Sequence, residues 1–402
     1  MNKKIIFIVC DGLGDRPVNS LGGKTPLEAA KTPNLDLLAE KGITGLIDVI
    51  DKSIYPDSDI AHLALFGLTP EQSKIERGPI EALGIGMDLG KEDVAFRCNF
   101  ATVNEKMEII DRRAGRIDGT EPLVKALNGI EVQGIKFLAA KGTGHRLILV
   151  MKGKGLSGNV SSNDPKAIGV KSPEVKALDA SDEANLSAGA LNEFLAKARE
   201  ILSAHPFNKK REMKGLLPAN YLLCRHGGKI ALIPSMKQRF GVNSACIAGA
   251  GLYKGIGRLL GMRLIEVKGA TGLPDSDLNA KIFTAIKALK EFDFVFVHIK
   301  AADSLGEDGN AEGKKKFIEK IDKAMAPLVS LKGSLVVVTA DHCTPCELKK
   351  HSSDPVPVLV SCEGAEANGV KRFSEKDCSK GSLGRIRGIE LMPLLMRLAS
   401  KR

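Results

Sequence analysis

Three apolar runs that each end in an acidic residue constrain the fold of this chain more than any other feature. They read FIVCD, FVFVHIKAAD and VVVTADH, and they end at Asp11, at Asp303 and at Asp341 with His342. Short runs rich in β-branched residues are typical of buried strands in a parallel sheet. Because ligands of open parallel sheets gather at the carboxyl ends of the strands, we predict that these acids share one site.

The rest of the chain divides into a part with alternating strands and helices and a part with hairpins. The strand and helix patterns of the first part are Lys4–Val9, the helix opened by Thr32 and Pro33 and closed by Gly42, Ile230–Ile233, Cys246–Gly249, Tyr253–Leu260, Leu278–Glu291, Phe294–Ile299, Glu312–Leu331, Ser334–Ala340 and Val356–Val360. The second part contains two hairpins, Val94–Ala101 with Met107–Ile110 and Ile135–Ala139 with His145–Met151, and the amphipathic helix Ala184–Ala204. With 402 residues the chain is too long for one ordinary domain. We predict an α/β core, residues 1–76 and 230–402, interrupted by a smaller domain, residues 77–229.

The composition predicts a globular protein, and its excess of basic residues is explained by small anionic substrates as well as by nucleic acid. Hydrophobic residues make up 43% of the chain, and the formal charge of +11 is spread along it. With three Tyr and no Trp the chain has few platforms for stacking bases, so we expect no nucleic-acid partner, although a basic nucleic-acid-binding protein is the alternative from another class. The apolar run near the N-terminus is too short for a membrane span, and we expect a cytoplasmic protein with no membrane partner.

We expect the eight cysteines to be reduced thiols, as is usual in a cytoplasmic protein. Cys343 and Cys346 have the spacing of a redox motif, but they directly follow the acid-ended run at Asp341. Two buried thiols are the favoured interpretation of this pair.

Ser58 lies in the stretch Tyr55–Gly67, after a proline and before a short helical pattern that ends at Gly67. As the N-cap of that helix it would face free backbone N–H groups and the positive end of the helix dipole, which suits a phosphate. A plain N-cap is the alternative. His62, one turn later, either lines the site or packs, and we assign His298 a structural role.

The acid-ended runs also suggest a metal centre, because His342, Glu307 and His351 add further donors to the three aspartates. A single acid at a strand end would more often be a helix N-cap, but three acids with adjacent histidines favour a metal site. Carboxylate and imidazole ligands without thiolate suit Mn, Zn or Co. Two such ions could neutralise a phosphate and lower the pKa of the Ser58 hydroxyl.

Several motifs, in order and over residues 4 to about 361, resemble one family closely. They are IIFIVCDGLGDRP, LGGKTPLEAAKTPNLDLLA, SDIAHLALFG, RGPIEALGIGMD, AFRCNFATV, IIDRRAGRI, ADHCTPC and KKHSSDPVPV. The family is that of the archaeal-type cofactor-independent phosphoglycerate mutases in the alkaline phosphatase superfamily. The resemblance implies an alkaline-phosphatase-like core with a mostly parallel sheet flanked by helices, interrupted by a smaller α/β lid domain with antiparallel hairpins. It also implies interconversion of 3-phosphoglycerate and 2-phosphoglycerate through a phosphoserine, without bisphosphoglycerate.

The resemblance further implies the roles of individual residues. One metal ion would be held by Ser58, Asp11, Asp341 and His342. The other would be held by Asp303, His351 and Glu307, where the family usually has a histidine. We expect Mn, with Zn, Co or Mg as alternatives. Substrate contacts would come from Asp111, Arg112, Arg113, His145, Arg146, Asp164, Arg225 and Lys254.

The main rival is a metal-dependent phosphatase or another phosphotransferase on the same core, such as the homoserine-kinase-like relatives. The stretches DRRAGRI and FRCNFATV favour the mutase. The sequence makes no prediction about the oligomeric state.

Overall fold

The computed structural model describes residues 3–51, 56–362 and 369–400. The strands are β1 (Lys4–Cys10), β2 (Gly42–Asp48), β3 (Val94–Val103), β4 (Ile109–Asp111), β5 (Ile130–Val132), β6 (Ile135–Lys141), β7 (Arg146–Lys152), β8 (Tyr221–Gly228), β9 (Ser244–Ile247), β10 (Arg263–Leu264), β11 (Phe294–Ile299), β12 (Ser334–Thr339), β13 (Val356–Ser361) and β14 (Gly384–Arg387). The helices are α1 (Pro26–Ala29), α2 (Pro33–Glu40), α3 (Ser58–Leu65), α4 (Arg77–Gly84), α5 (Glu121–Leu127), α6 (Asp182–Ala204), α7 (Pro206–Glu212), α8 (Met236–Phe240), α9 (Gly251–Leu259), α10 (Leu278–Ala288), α11 (Ala301–Glu307), α12 (Ala311–Met325), α13 (Glu375–Cys378) and α14 (Gly388–Ser400).

The chain forms two compact units. Unit 1 comprises Met1–Lys74 and Ile233–Arg402, and unit 2 comprises Ile75–Leu232. Among the residues that the structure describes, no helix is long and apolar enough to cross a membrane.

Unit 1 is built on an eight-stranded sheet in the order β10-β9-β11-β1-β12-β13-β2-β14. The first five strands are parallel, β13 runs antiparallel to both of its neighbours, and β14 is parallel to β2. The prediction of a mostly parallel sheet flanked by helices is therefore confirmed. Strands β1, β11 and β12 are buried along almost their whole length, which explains their continuous apolar sequences.

Aromatic packing attaches α3 to this sheet. Phe66, directly after α3, stands edge-on to Phe296 with ring centroids 5.1 Å apart and contacts Phe7 at 5.7 Å. Every residue of α3 except Ile60 is buried. The helix that begins with Ser58 is therefore fixed to strands β1 and β11.

Unit 2 is built on a six-stranded antiparallel sheet in the order β4-β3-β7-β6-β5, with β8 also paired to β3. Helix α6 packs against it through Leu191, Phe194, Leu195, Ala198 and Leu202, and Phe194 stacks on Phe137 at 4.3 Å. Both predicted hairpins and the predicted amphipathic helix are present.

Three local predictions are wrong. Residues Ile230–Ile233 form no strand, and Gly42 begins β2 instead of closing α2, which ends at Glu40. Ser58 is the first residue of α3, and Asp57 takes the extended N-cap conformation before it. Tyr55 lies outside the described residues.

Close packing of α4 against strand β3 gives a test of unit 2. A Cβ atom at Gly78 would lie 2.1 Å from the carbonyl oxygen of Ala95 and 2.5 Å from that of His226. Because backbone cannot move aside easily, we expect Gly78→Ala to destabilise the protein by about 1–3 kcal/mol in thermal or urea unfolding.

Gly189 in α6 is the matched control, because a Cβ there would meet no atom within 4 Å. Gly189→Ala should stabilise by up to about 1 kcal/mol through helix propensity. A Gly78→Ala protein that unfolds at the wild-type temperature would contradict this account of the packing.

Candidate metal centre

The three acids predicted from the sequence follow neighbouring strands of the unit 1 sheet. Asp11 comes directly after β1, Asp303 lies in the first turn of α11 after β11, and Asp341 follows β12. A Cβ atom at Gly12 would lie 2.6 Å from both the Cα of Asp303 and the Oγ1 of Thr344. Only glycine allows the loops after these strands to approach so closely.

The predicted ligands form two groups that share His342. In one group Asp11, Asp341 and His342 each bring a donor atom within 4.8 Å of the others, and in the second Asp303, His342 and His351 do the same. The aspartates and His342 are buried, and His351 is half-buried. The two groups are adjacent, because they share one histidine, and their carboxylate and imidazole donors suit a divalent metal.

Hydrogen bonding fixes which nitrogen of His342 carries its proton. The Thr344 hydroxyl donates to Oδ1 of Asp303 at 2.7 Å, so its oxygen accepts from Nδ1 of His342 at 3.1 Å. The lone pair of Nε2 then faces Oδ1 of Asp11 at 3.4 Å and Oδ2 of Asp341 at 3.3 Å.

Those two carboxylate oxygens have no hydrogen-bond partner among the described residues, although both are buried. Two buried carboxylate oxygens that face the lone pair of one ring nitrogen and receive no hydrogen bond are costly unless a cation lies between them. The residues therefore fit a divalent cation, and divalent metal binding agrees with the ligand chemistry.

The pKa values reflect the same crowding of negative charge. Burial and the charge of Asp11 raise the pKa of Asp341 to about 7. Burial would also raise the pKa of Asp11, but Lys300, His298 and His342 outweigh it and hold this pKa well below its usual range. Burial lowers the pKa of His342 to about 4, which leaves the ring neutral, as a metal ligand must be.

Residues that the sequence analysis missed surround Oδ2 of Asp11. Tyr253 donates its hydroxyl, His298 lies 3.1 Å away through Nε2, and the Lys300 ammonium lies 3.4 Å away. Lys300 also bonds Asp303 at 2.8 Å and so bridges two of the acids. His298, to which the sequence analysis assigned a structural role, thus contacts a candidate ligand. A histidine and a lysine at the end of an apolar strand were the available signal for this contact.

Ser58 lies beside the group around Asp11, with Oγ 3.2 Å from Nε2 of His342. Its carbonyl is 2.6 Å from Nδ1 of His62, and the same nitrogen lies 3.4 Å from Oδ2 of Asp341. His62 therefore lines the site, bonded to the serine backbone and adjacent to Asp341.

Glu307 lies one turn after Asp303 on α11, so both face the same side of that helix. It belongs to neither donor group, and the residue is exposed. With His351 it lines a cavity of about 410 Å³. Desolvation of its carboxyl and the charge of Asp303 raise the pKa of Glu307.

His351 is positioned through Nδ1, which donates to the carbonyl of Pro56 at 3.0 Å.

Unit 2 carries most of the predicted substrate residues, and one face of its sheet collects arginines. Arg97 on β3 is directly opposite Arg225 on β8, and Asn99, two residues along the same face, is opposite Arg146 on β7. The Nε atoms of all three arginines are buried and have no hydrogen-bond partner among the described residues. Like charges opposite each other are unfavourable, so this arrangement fits an anion. Arg97, which the sequence analysis missed, lies 3.2 Å from Glu81.

His145 lies beside these arginines, and their positive charge contributes to the shift of its pKa. Burial, together with Arg146, Arg113, Arg97 and Arg225, lowers the pKa of His145 to about 4. Burial and Arg97 lower the pKa of Arg146 to about 10.

The other predicted substrate residues have identifiable local partners. Arg112 pairs with Asp164 through two bonds of 2.9 and 2.7 Å, and Arg225 reaches the same carboxylate at 3.1 Å. The carboxylate of Asp111 caps the turn through the backbone N–H groups of Arg113 and Gly115. In unit 1 the Lys254 ammonium pairs with Glu266 at 2.7 Å.

A buried lysine holds the two loops that carry most of the ligands. The Lys314 ammonium on α12 donates to Asp15 at 2.8 Å and to the carbonyls of Gly14 and Thr344, both at 3.0 Å. Thr344 in turn contacts Asp303 and His342. Lys314 therefore fixes the spacing of the loops after β1 and β12.

Removing this ammonium should affect both stability and metal binding. We expect Lys314→Met to cost about 3–5 kcal/mol in unfolding, because it leaves Asp15 as an uncompensated buried charge. The metal content of the purified, folded variant should also be lower than that of the wild type. Lys323→Met, at an exposed position of the same helix, is the control. Wild-type stability in Lys314→Met would show that this lysine does not hold the loops.

Known proteins are similar to this chain over its whole length. A family model described as the Metalloenzyme superfamily matches residues 3–398. The 2,3-bisphosphoglycerate-independent phosphoglycerate mutase of Methanoculleus marisnigri is 46% identical over 402 residues, covering 99% of this chain and 98% of the relative. The corresponding mutase 1 of Archaeoglobus fulgidus is 47% identical over 401 residues, covering 98% and 97%.

Two solved structures are also similar to this chain over its whole length. The cofactor-independent phosphoglycerate mutase of Thermoplasma acidophilum is 38% identical with a TM-score of 0.73, covering 99% of this chain and 100% of its own. A protein from Pyrococcus horikoshii is 34% identical with a TM-score of 0.86, covering 100% and 99%. The chain therefore belongs to the Metalloenzyme superfamily and, within it, to the 2,3-bisphosphoglycerate-independent phosphoglycerate mutases.

Proposed function

We propose that this protein interconverts 3-phosphoglycerate and 2-phosphoglycerate in the cytoplasm through a phosphorylated Ser58, without bisphosphoglycerate. The observation that carries the proposal is the position of Ser58 Oγ, 3.2 Å from the histidine shared by two groups of metal-ligand donors. Family membership supports the same reaction.

We further propose that the centre takes two divalent ions, with manganese preferred. Asp11, Ser58, Asp341 and His342 would hold one ion, and Asp303, His351 and Glu307 would hold the other. When bound, the ions would neutralise the phosphate and lower the pKa of the serine hydroxyl.

Within this proposal, each group of the chain has a defined task. Ser58 Oγ forms the new bond to phosphorus while the bond from phosphorus to the substrate oxygen breaks, and the freed hydroxyl takes up a proton. The glycerate then turns, its other hydroxyl attacks the phosphoserine, and Ser58 Oγ leaves. The N-terminus of α3, the positive end of the helix dipole, would favour the negative charge throughout.

Unit 2 would act as the lid that holds the glycerate during this turn. Its clustered arginines, whose buried Nε atoms make no hydrogen bond among the described residues, would supply positive charge for the carboxylate and phosphate. Exclusion of water is essential, because hydrolysis of the phosphoserine would convert the mutase into a phosphatase. The hinges of this lid would lie near Arg77 and Lys229.

The proposed covalent step makes Ser58→Ala the first test. We expect kcat to fall more than about 100-fold with the fold unchanged, because the hydroxyl contacts only the catalytic centre. The assay follows 2-phosphoglycerate and free phosphate from 3-phosphoglycerate with Mn. Ser73→Ala, at a buried serine whose hydroxyl bonds Thr69, is the control.

Two results would contradict the proposal in different ways. More than about a hundredth of wild-type kcat in Ser58→Ala would exclude phosphoserine chemistry as the main route. Free phosphate as the main wild-type product would instead identify the protein as a phosphatase.

Glu307 gives a test of the second ion. If it is a ligand, Glu307→Ala should lose one of two bound metals, and Glu307→His should move activation toward zinc or cobalt, because imidazole is a softer donor than carboxylate. Asp308→Ala removes the same charge from the next residue and serves as the control. Unchanged stoichiometry and metal preference in Glu307→Ala would place this acid outside the ligand set.

The arginine face of unit 2 gives a test of substrate binding. Arg146→Met should raise KM for 3-phosphoglycerate by about 10- to 100-fold, the loss expected for one hydrogen bond between charged groups. Unfolding stability should stay the same or rise, because the variant relieves repulsion between buried arginines. Arg199→Met on α6 makes the same charge change away from this face. An unchanged KM would exclude Arg146 from the substrate site.

A further inference from the structure

Two cysteines of unit 2 lie opposite each other on neighbouring strands. Cys98 on β3 is paired in register with Cys224 on β8, and both are buried in the hydrophobic core of the unit. Their Sγ atoms are 2.8 Å apart. Neither residue belongs to the metal centre or to the arginine face.

The strand register at this pair is compatible with a disulfide. Residues directly opposite on antiparallel strands have Cα atoms about 4.5–5.5 Å apart. Disulfides span Cα separations of about 4.4–6.8 Å, so no strand has to move for a bond to form. The two sulfur atoms also point toward each other, which is the second requirement.

The pair with redox spacing in the sequence lacks this geometry. The Cys343 thiol is directed at the carbonyl of Pro355, 3.6 Å away, and the Cys346 thiol is directed at Oδ2 of Asp15, 3.2 Å away. Each is therefore held by its own oxygen acceptor.

We propose that Cys98 and Cys224 are a disulfide site, which becomes cross-linked when the protein meets a small-molecule disulfide such as oxidised glutathione. One cysteine thiolate attacks the oxidant, forms a mixed disulfide and releases one small thiol. The second cysteine attacks that mixed disulfide and releases the other small thiol. The two protein thiols lose two electrons and two protons in total, and the oxidant gains them.

The core around the pair makes this oxidation slow. Burial raises the pKa of Cys98 well above its ordinary value, so little thiolate is present, and the oxidant must enter through local opening of the sheet. Sub-denaturing urea should therefore speed the reaction.

The cross-link would join the two strands that carry Arg97 and Arg225 on the opposite face. It would also fix the Asn163 loop, because the side chain of Asn163 accepts the backbone N–H of Cys224 at 2.6 Å. The next residue in that loop, Asp164, pairs with Arg225. Oxidation would thus restrain the arginine face, although neither cysteine belongs to that face.

The test treats the full-length protein with oxidised glutathione, in buffer and in increasing sub-denaturing urea. Remaining thiols are alkylated in denaturant, counted and mapped by mass spectrometry after digestion. We expect two of the eight thiols to be lost and one linked peptide pair, containing Cys98 and Cys224. A reducing agent should restore all eight.

Matched variants identify the pair. Cys98→Ser should yield no linked peptide pair, whereas Cys343→Ser should still form the Cys98–Cys224 link. Retention of all eight thiols under every condition, or a link between other cysteines, would overturn the proposal. Because this readout is independent of catalysis, its failure leaves the proposed mutase reaction unaffected.

Discussion

Repulsion among buried carboxylates is the constraint on which the rest of unit 1 depends. Asp11, Asp303 and Asp341 follow three adjacent strands, and the pKa of Asp341 rises to about 7 because burial and Asp11 oppose its ionisation. Such a cluster survives only if positive charge is brought to it. Lys300 supplies part of that charge by bridging Asp11 and Asp303, and the divalent ions for which the donors are suited would supply the remainder. Gly12 and Lys314 hold the loops at this spacing.

Unit 2 contains a cluster of positive charge, in contrast to the carboxylate cluster of unit 1. Its sheet places Arg97 and Arg225 side by side and leaves three buried guanidinium nitrogens without a hydrogen bond among the described residues. Each unit therefore contains a cluster of like charge that is unfavourable by itself. Divalent cations would relieve the cluster in unit 1, and an anion would relieve the cluster in unit 2. A protein that bound no ligand would gain no stability from either cluster.

Much of this could be predicted from the sequence, for reasons that differ between residues. The strands ending at Asp11, Asp303 and Asp341 were predictable because continuous apolar runs mark buried parallel strands, and parallel strands end at a common edge. Lys300, Tyr253 and His298 were missed because their roles depend on side-chain direction, which periodicity does not report. Arg97 was missed because its partner Arg225 is 128 positions away, and only the register of β3 and β8 brings them together. Ser58 was predicted to be the N-cap but is the first residue of α3, because Asp57 adopts the N-cap conformation without a side-chain cap hydrogen bond.

The attachment of α3 to the sheet decides which reaction partner can move. Ser58 begins a buried helix, and Phe66 at the other end is packed among the phenylalanines of β1 and β11. A hydrogen bond of His62 to the serine carbonyl restrains the backbone at the first turn. In the proposed reaction, a serine held in this way could not follow a phosphate from one oxygen to another. The carbon skeleton that gives up the phosphoryl group would have to rotate in front of a stationary acceptor, and the space for that rotation would have to be created outside α3.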